Sequence, residues 1–149
     1  MDRTEGVLAG MNETTYAIRD VIEASRDLTA RMAKGSGMNA NDLTAIAILG
    51  QHGPMGPVEL ARRLGISGPS ATTLVDRLEQ SGHLVRVRSE TDRRRVTVTV
   101  TDKAVEVARS VWRPAIERLD QVSRSFTEDE HAFVRSFLTR IVAEMNASG

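Results

Sequence analysis

A mainly α-helical fold carrying one small β-hairpin is predicted by three observations. Apolar residues recur at helical spacing through most of the 149 residues. Glycine and proline cut that pattern into short pieces between about 39 and 83 and leave long pieces on either side. Two runs of alternating β-branched residues, "HLVRVRS" and "RVTVTVT", follow one another and are joined by "ETDR", which reads as a hairpin with a multi-residue tip.

Taken in order, the first element is a helix from about 7 to 33, with Val7, Leu8, Met11, Ile18, Val21, Ile22, Leu28 and Met32 along one side. "KGSGM" ends it with two glycines. Asn39 caps a second helix, and Asp42 three residues on makes a loose capping box. Leu43, Ile46, Ile48 and Leu49 are its apolar face, and "HGPMGP" stops it. Pro57 suits the first position of a third helix, whose "VELARRL" makes two turns before Gly65. A fourth helix is capped by Ser67 or Gly68, accepts Pro69 in its first turn, buries Ala71, Leu74, Val75 and Leu78, and ends at Gly82. After the hairpin, Thr101 caps a fifth helix from about 102 to 124, which Pro114 should kink by removing a backbone donor. "TEDE", Thr127 to Glu130, is a full capping box for the last helix, with a wide stripe of Phe133, Val134, Phe137, Leu138, Ile141, Val142 and Met145.

Long helices with wide apolar stripes must bury them on something. The segment 39–100 is small, so a second copy of the chain is the expected cover. The organisation that follows is one unit over 1–149, with a compact region at 39–100 and dimerisation helices at 1–38 and 101–149.

Composition excludes several classes. The absence of cysteine rules out disulfides and thiolate metal sites. No apolar run approaches the roughly 18 residues of a membrane span, and the N-terminus has no apolar core of signal-peptide length. A cytoplasmic protein without membrane association is expected. Net charge is zero, but its distribution is uneven: net −2 over residues 1–53, +3 over 54–100 and −1 over 101–149. All eight basic residues of the middle third are arginine, the planar cation that suits phosphate and groove contacts.

The run "ELARRLGISGPSATTLVDRLEQSGHL" has the form of a helix-turn-helix: a short helix, a tight turn at Gly65 and a second helix able to enter a major groove. On that helix Ser70, Thr73 and Arg77 lie at i, i+3 and i+7, away from Leu74 and Leu78, with Ser67, Pro69 and Thr72 near its start. Small hydroxyls allow close approach to base edges, and a Thr methyl can meet a thymine methyl. A plain three-helix core is the competing explanation of this segment alone. The hairpin that follows shifts the balance, because a ribbon in this place is a wing. Arg93, Arg94 and Arg95 at its tip could enter a minor groove, whose negative potential attracts arginine. Asp92 can hold one of them in place, and Arg86 and Arg88, on one strand face, could reach phosphates or stay solvated. The predicted fold is thus a winged helix-turn-helix domain flanked by long N- and C-terminal dimerisation helices.

These residues resemble the multiple-antibiotic-resistance-regulator (MarR) family. "DRRRVTVTVT" is similar to its wing signature, Asp-x-Arg followed by an alternating strand and a capping Thr, and "ELARRLGIS…TTLVDRLEQSGHLVR" is similar to its recognition region. The likeness covers essentially the whole chain. It implies a homodimeric regulator binding inverted-repeat double-stranded DNA, with repression as the family tendency and release by a small aromatic acid. Asp92 and Arg94 match the Asp-x-Arg pair, and Arg77 matches a recognition-helix arginine. Thr73 stands where relatives carry Arg or Lys, and Ala104 replaces a usual Gly after the capping Thr.

Tyr16, His52 and Trp112 are the candidates for an effector pocket; packing and helix-end roles compete for them. His52, His83 and His131 lie in different elements without ligand spacing, so neither metal nor cofactor is expected. No nucleophile stands at sensible spacing from a base, and no paired-carboxylate site or cofactor loop is visible, which argues against an enzyme. With 3% aromatic residues, stacking on single strands or RNA is disfavoured. The alternative to a DNA-binding regulator is a dimeric winged-helix adaptor for proteins, which the zero net charge would suit.

Overall fold

A computed structural model of the protein describes residues 9–88 and 96–147. Its elements are α1 (Glu13–Ser36), α2 (Ala40–His52), α3 (Pro57–Leu64), α4 (Gly68–Gln80), β1 (Leu84–Arg88), β2 (Val96–Val100), α5 (Asp102–Ser123) and α6 (Glu128–Ala147). This is the expected order of helices around a single hairpin. The chain forms two compact units, Met1–Val111 and Trp112–Gly149.

Local chemistry sets the boundaries. The first helix starts later than its apolar spacing suggests: Asn12 caps it through a bond from the Thr15 amide, so Met11 precedes it, and Val7 and Leu8 lie outside the described residues. It also ends later. Gly35 remains helical, and Gly37, at φ 72°, takes the left-handed cap that a side chain would strain. The Asn39–Asp42 box forms in both directions: the Asp42 amide donates to Asn39 Oδ1 at 2.9 Å, and the Asn39 amide to Asp42 Oδ2 at 3.2 Å. Thr127 and Glu130 close a second box. α5 is one helix on both sides of Pro114, with no break in the segment.

The core of the first unit gathers Ala45, Ile46 and Leu49 from α2, Leu60 from α3, Leu74, Val75 and Leu78 from α4, Leu84 and Val98 from the hairpin, and Ala104 from α5. A fully buried Leu contributes roughly 1.5–3 kcal/mol, so these residues together fix the short helices to one another. The hairpin is antiparallel, with Leu84 opposite Val100 and Arg88 opposite Val96. The "HGPMGP" segment does more than stop α2. Met55 exchanges both backbone hydrogen bonds with Val98, at 3.2 and 2.8 Å, and so covers the free edge of β2.

The second unit contrasts with the first. None of the α6 residues is buried. On α5, Ile116, Leu119 and Val122 are exposed, as are Phe133, Leu138, Val142 and Met145 on α6, with Phe133 at 72%.

Candidate nucleic-acid interface

The helix-turn-helix is α3, the turn at Gly65, Ile66 and Ser67, and α4. Gly65 adopts φ 65°; its amide bonds back to α3, and the Ile66 amide reaches the Ala61 carbonyl at 3.1 Å, a Schellman closure that aims the chain into α4. Ser67 caps α4, accepting from the Ser70 amide at 3.3 Å, while the two hydroxyls lie 2.8 Å apart.

With Ala71, Leu74, Val75 and Leu78 buried, the opposite face of α4 presents Pro69, Thr72, Thr73, Asp76 and Gln80, all of them exposed. Thr72 donates its hydroxyl proton to the Gly68 carbonyl and Thr73 to that of Pro69, each at 3.1 Å. Both therefore offer outward a methyl group and an acceptor lone pair. Spacing around Ser70, Thr73 and Arg77 did not single out Asp76 and Gln80. The stripe Pro69, Thr73, Asp76, Gln80, at i, i+4, i+7 and i+11, was the available signal.

Arg77 is placed differently from the groove-facing position expected for it. Its guanidinium bonds the buried Asp42 carboxylate of α2, tying α4 to the start of α2. Arg86 likewise turns from solvent toward α4, bonding both Asp76 and Glu79. The hydrogen bond to Asp76, above all, raises its pKa further above the ordinary guanidinium value. Arg62 and Arg63 share Glu59, and their hydrogen bonds, that of Arg62 first, hold its carboxyl at about 2. Four of the five described arginines between 54 and 100 thus face a carboxylate. The fifth, Arg88, is exposed at the end of β1 without an ion pair among the described residues. Asp92, Arg93, Arg94 and Arg95 lie outside the described residues.

The pocket candidates are spread out. Tyr16 is half-buried on α1 with the Arg19 guanidinium 5.4 Å from its ring centre, His52 is exposed at the end of α2, and Trp112 belongs to the second unit. A cleft of about 180 Å³ in the first unit is lined by none of the three; Met38, Asp42, Arg77, Ser81 and His83 form most of its wall. His83 is the histidine that sequence reasoning undervalued. It is buried, 2.8 Å from the Ser81 hydroxyl through Nδ1, and its carbonyl receives the Thr101 amide at 3.0 Å. Burial first, then the Lys103 charge, lower its pKa below 6.5, against an opposing pull from Asp42. The unfolded chain then binds the proton more readily, so His83 costs stability as pH falls below about 6.5. The stability difference between wild type and His83→Gln should therefore shift in favour of the variant between about pH 7 and about pH 5. Urea midpoints that run parallel over that range would refute it.

Among the described residues no helix is long and apolar enough to cross a membrane, and no cluster of three or more His, Asp or Glu could hold a metal ion.

The sequence profile of the MarR family matches residues 36–95, the stretch from the end of α1 to the foot of β2. The HTH-type transcriptional regulator YcgE of Bacillus subtilis is 35% identical over 106 residues, 71% of this chain and 69% of that protein. The chain belongs to the MarR family. The transcriptional repressor MprA of Escherichia coli is 27% identical over 118 residues, 78% of this chain and 67% of that protein. Coverage is less for a further B. subtilis regulator, YfiV, of which the match spans 47%. The structure of a MarR family protein from Bacillus stearothermophilus superimposes with a TM-score of 0.75 at 23% identity, over 92% of this chain and 99% of that one, which establishes the winged-helix fold. As a MarR-family member the chain is a DNA-binding transcriptional regulator and not an enzyme.

Proposed function

We propose that the protein binds an inverted repeat of double-stranded DNA as a homodimer and represses transcription from it. The observation that carries this reading is the apolar surface of the second unit. Ile116, Leu119, Val122, Phe133, Leu138, Val142 and Met145 are each more than half exposed, far more than a solvated helix pair needs, and a second copy is the cover that also creates two-fold symmetry. In this reading 39–100 is the DNA-binding region, and 1–38 and 101–149 supply the dimer. α4 enters the major groove through Pro69, Thr72 and Thr73, with Ser67 and Ser70 on the phosphate beside its N-terminus. Arg88 and Arg93 to Arg95 reach the flanking backbone and minor groove, with Asp92 orienting the tip. Arg77 acts indirectly, by holding α4 on Asp42. Repression is supported by the likeness to MprA, and release by a small aromatic acid by the family resemblance.

Selection from random-sequence duplexes on the purified chain, with sedimentation of the free protein, tests this. A palindromic site with half-site centres about 10 bp apart and a dimer in solution are expected. A monomer, or a site without two-fold symmetry, would overturn the reading. Addition of benzoate-type acids to the complex tests release.

A further inference from the structure

We propose that Arg86 governs DNA affinity without touching DNA, by masking two carboxylates of α4. This rests on the DNA-binding reading of α4 above.

Asp76 stands on the outward stripe of α4 between Thr73 and Gln80, with its side chain 51% exposed, and Glu79 lies one turn on. Asp76 on the face that meets a phosphate backbone, and Glu79 at its flank, would both oppose binding. One guanidinium answers both: Arg86 places one nitrogen on Asp76 and the other on Glu79. The backbone adds to the arrangement. Val98, opposite Arg86, directs its amide and carbonyl to Met55, so the Arg86 amide points away from β2, and Glu79 Oε1 accepts it at 3.4 Å. The arginine is only 31% exposed, because its charge lies against α4 instead of in solvent. Two of its five N–H donors are committed to these carboxylates, which holds the charge on α4 and away from a phosphate.

The test is a double-mutant cycle on the full chain, read as affinity for the duplex that selection recovers with wild-type protein, at fixed salt. Masking predicts that Arg86→Met weakens binding about tenfold. Asp76→Asn with Glu79→Gln should restore most of that loss when combined with Arg86→Met, yet change affinity less than about twofold when Arg86 is present. A direct phosphate contact predicts the same carboxylate effect in both backgrounds, and overturns the proposal. A role limited to anchoring β1 predicts no rescue, since the anchor is also gone, and overturns it too. Melting temperatures monitor folding throughout, and Arg86→Gln repeats the cycle if Arg86→Met does not fold. If wild type selects no duplex, the DNA-binding reading and this proposal fall together; if it does, only the cycle bears on Arg86.

Discussion

Leu60→Ala should lower the stability of the first unit by about 2–5 kcal/mol, the range for removing a buried leucine side chain. Leu60 is 0% exposed, and α3 buries only Leu60 and Ala61. A helix of eight residues has no stability of its own; what holds it is the insertion of Leu60 among Leu49, Leu74, Leu78 and Val98 in the core cluster. The loss is large beside the roughly 5–15 kcal/mol that holds a typical domain together. The urea midpoint should drop with little change in slope. Val58, on the same helix, is 84% exposed, and Val58→Ala should shift stability by no more than about 0.5 kcal/mol. A Leu60→Ala loss below about 1 kcal/mol would mean that α3 is held by something other than this core. Because α3 sets the Gly65 turn, partial loosening should also reduce specific DNA binding per folded molecule.

Much of this architecture is local chemistry, and local chemistry is what a sequence displays. The Asn39–Asp42 and Thr127–Glu130 boxes, the left-handed turn at Gly65 and the cap at Thr101 all involve residues three or four apart. Each is readable from residue types and spacing alone. The start of α1 is not: apolar spacing runs back past Met11, and only the Asn12 cap decides against it. The larger surprises in the candidate site come from residues far apart in the chain. Nothing on the helical wheel of α4 distinguishes an arginine pointing at a groove from one bonded to Asp42, 35 positions earlier. Arg86 reads as a strand cation free to reach a phosphate, because its carboxylate partners belong to the preceding helix. Proline and glycine around Met55 advertise a loop and conceal its pairing with Val98. Function is legible beyond this because the hairpin directly follows the helix-turn-helix, so one stretch of sequence carries the pattern that resembles the family.

These pairings sharpen what is expected of Arg94. The chain has no net charge, and Arg62, Arg63, Arg77 and Arg86 are already opposed by carboxylates. In the proposed reading, the attraction of the 54–100 region to a polyanion rests largely on Arg88 and on Arg93 to Arg95. Arg94→Ala is therefore expected to weaken specific binding by about 1–3 kcal/mol, the scale of one good base or groove contact. If Arg94 also neutralises a phosphate, the slope of log affinity against log salt should become shallower by roughly 0.9. Arg94→Lys separates charge from shape. It should keep the wild-type slope and still bind more weakly, since an ammonium is more strongly hydrated and lacks the planar fork that a narrow minor groove accepts. Measured at moderate salt, an Arg94→Ala affinity equal to wild type would remove Arg94 from the interface. Equal losses for Arg94→Ala and Arg94→Lys, with both slopes unchanged, would instead assign it a contact that depends on guanidinium geometry alone.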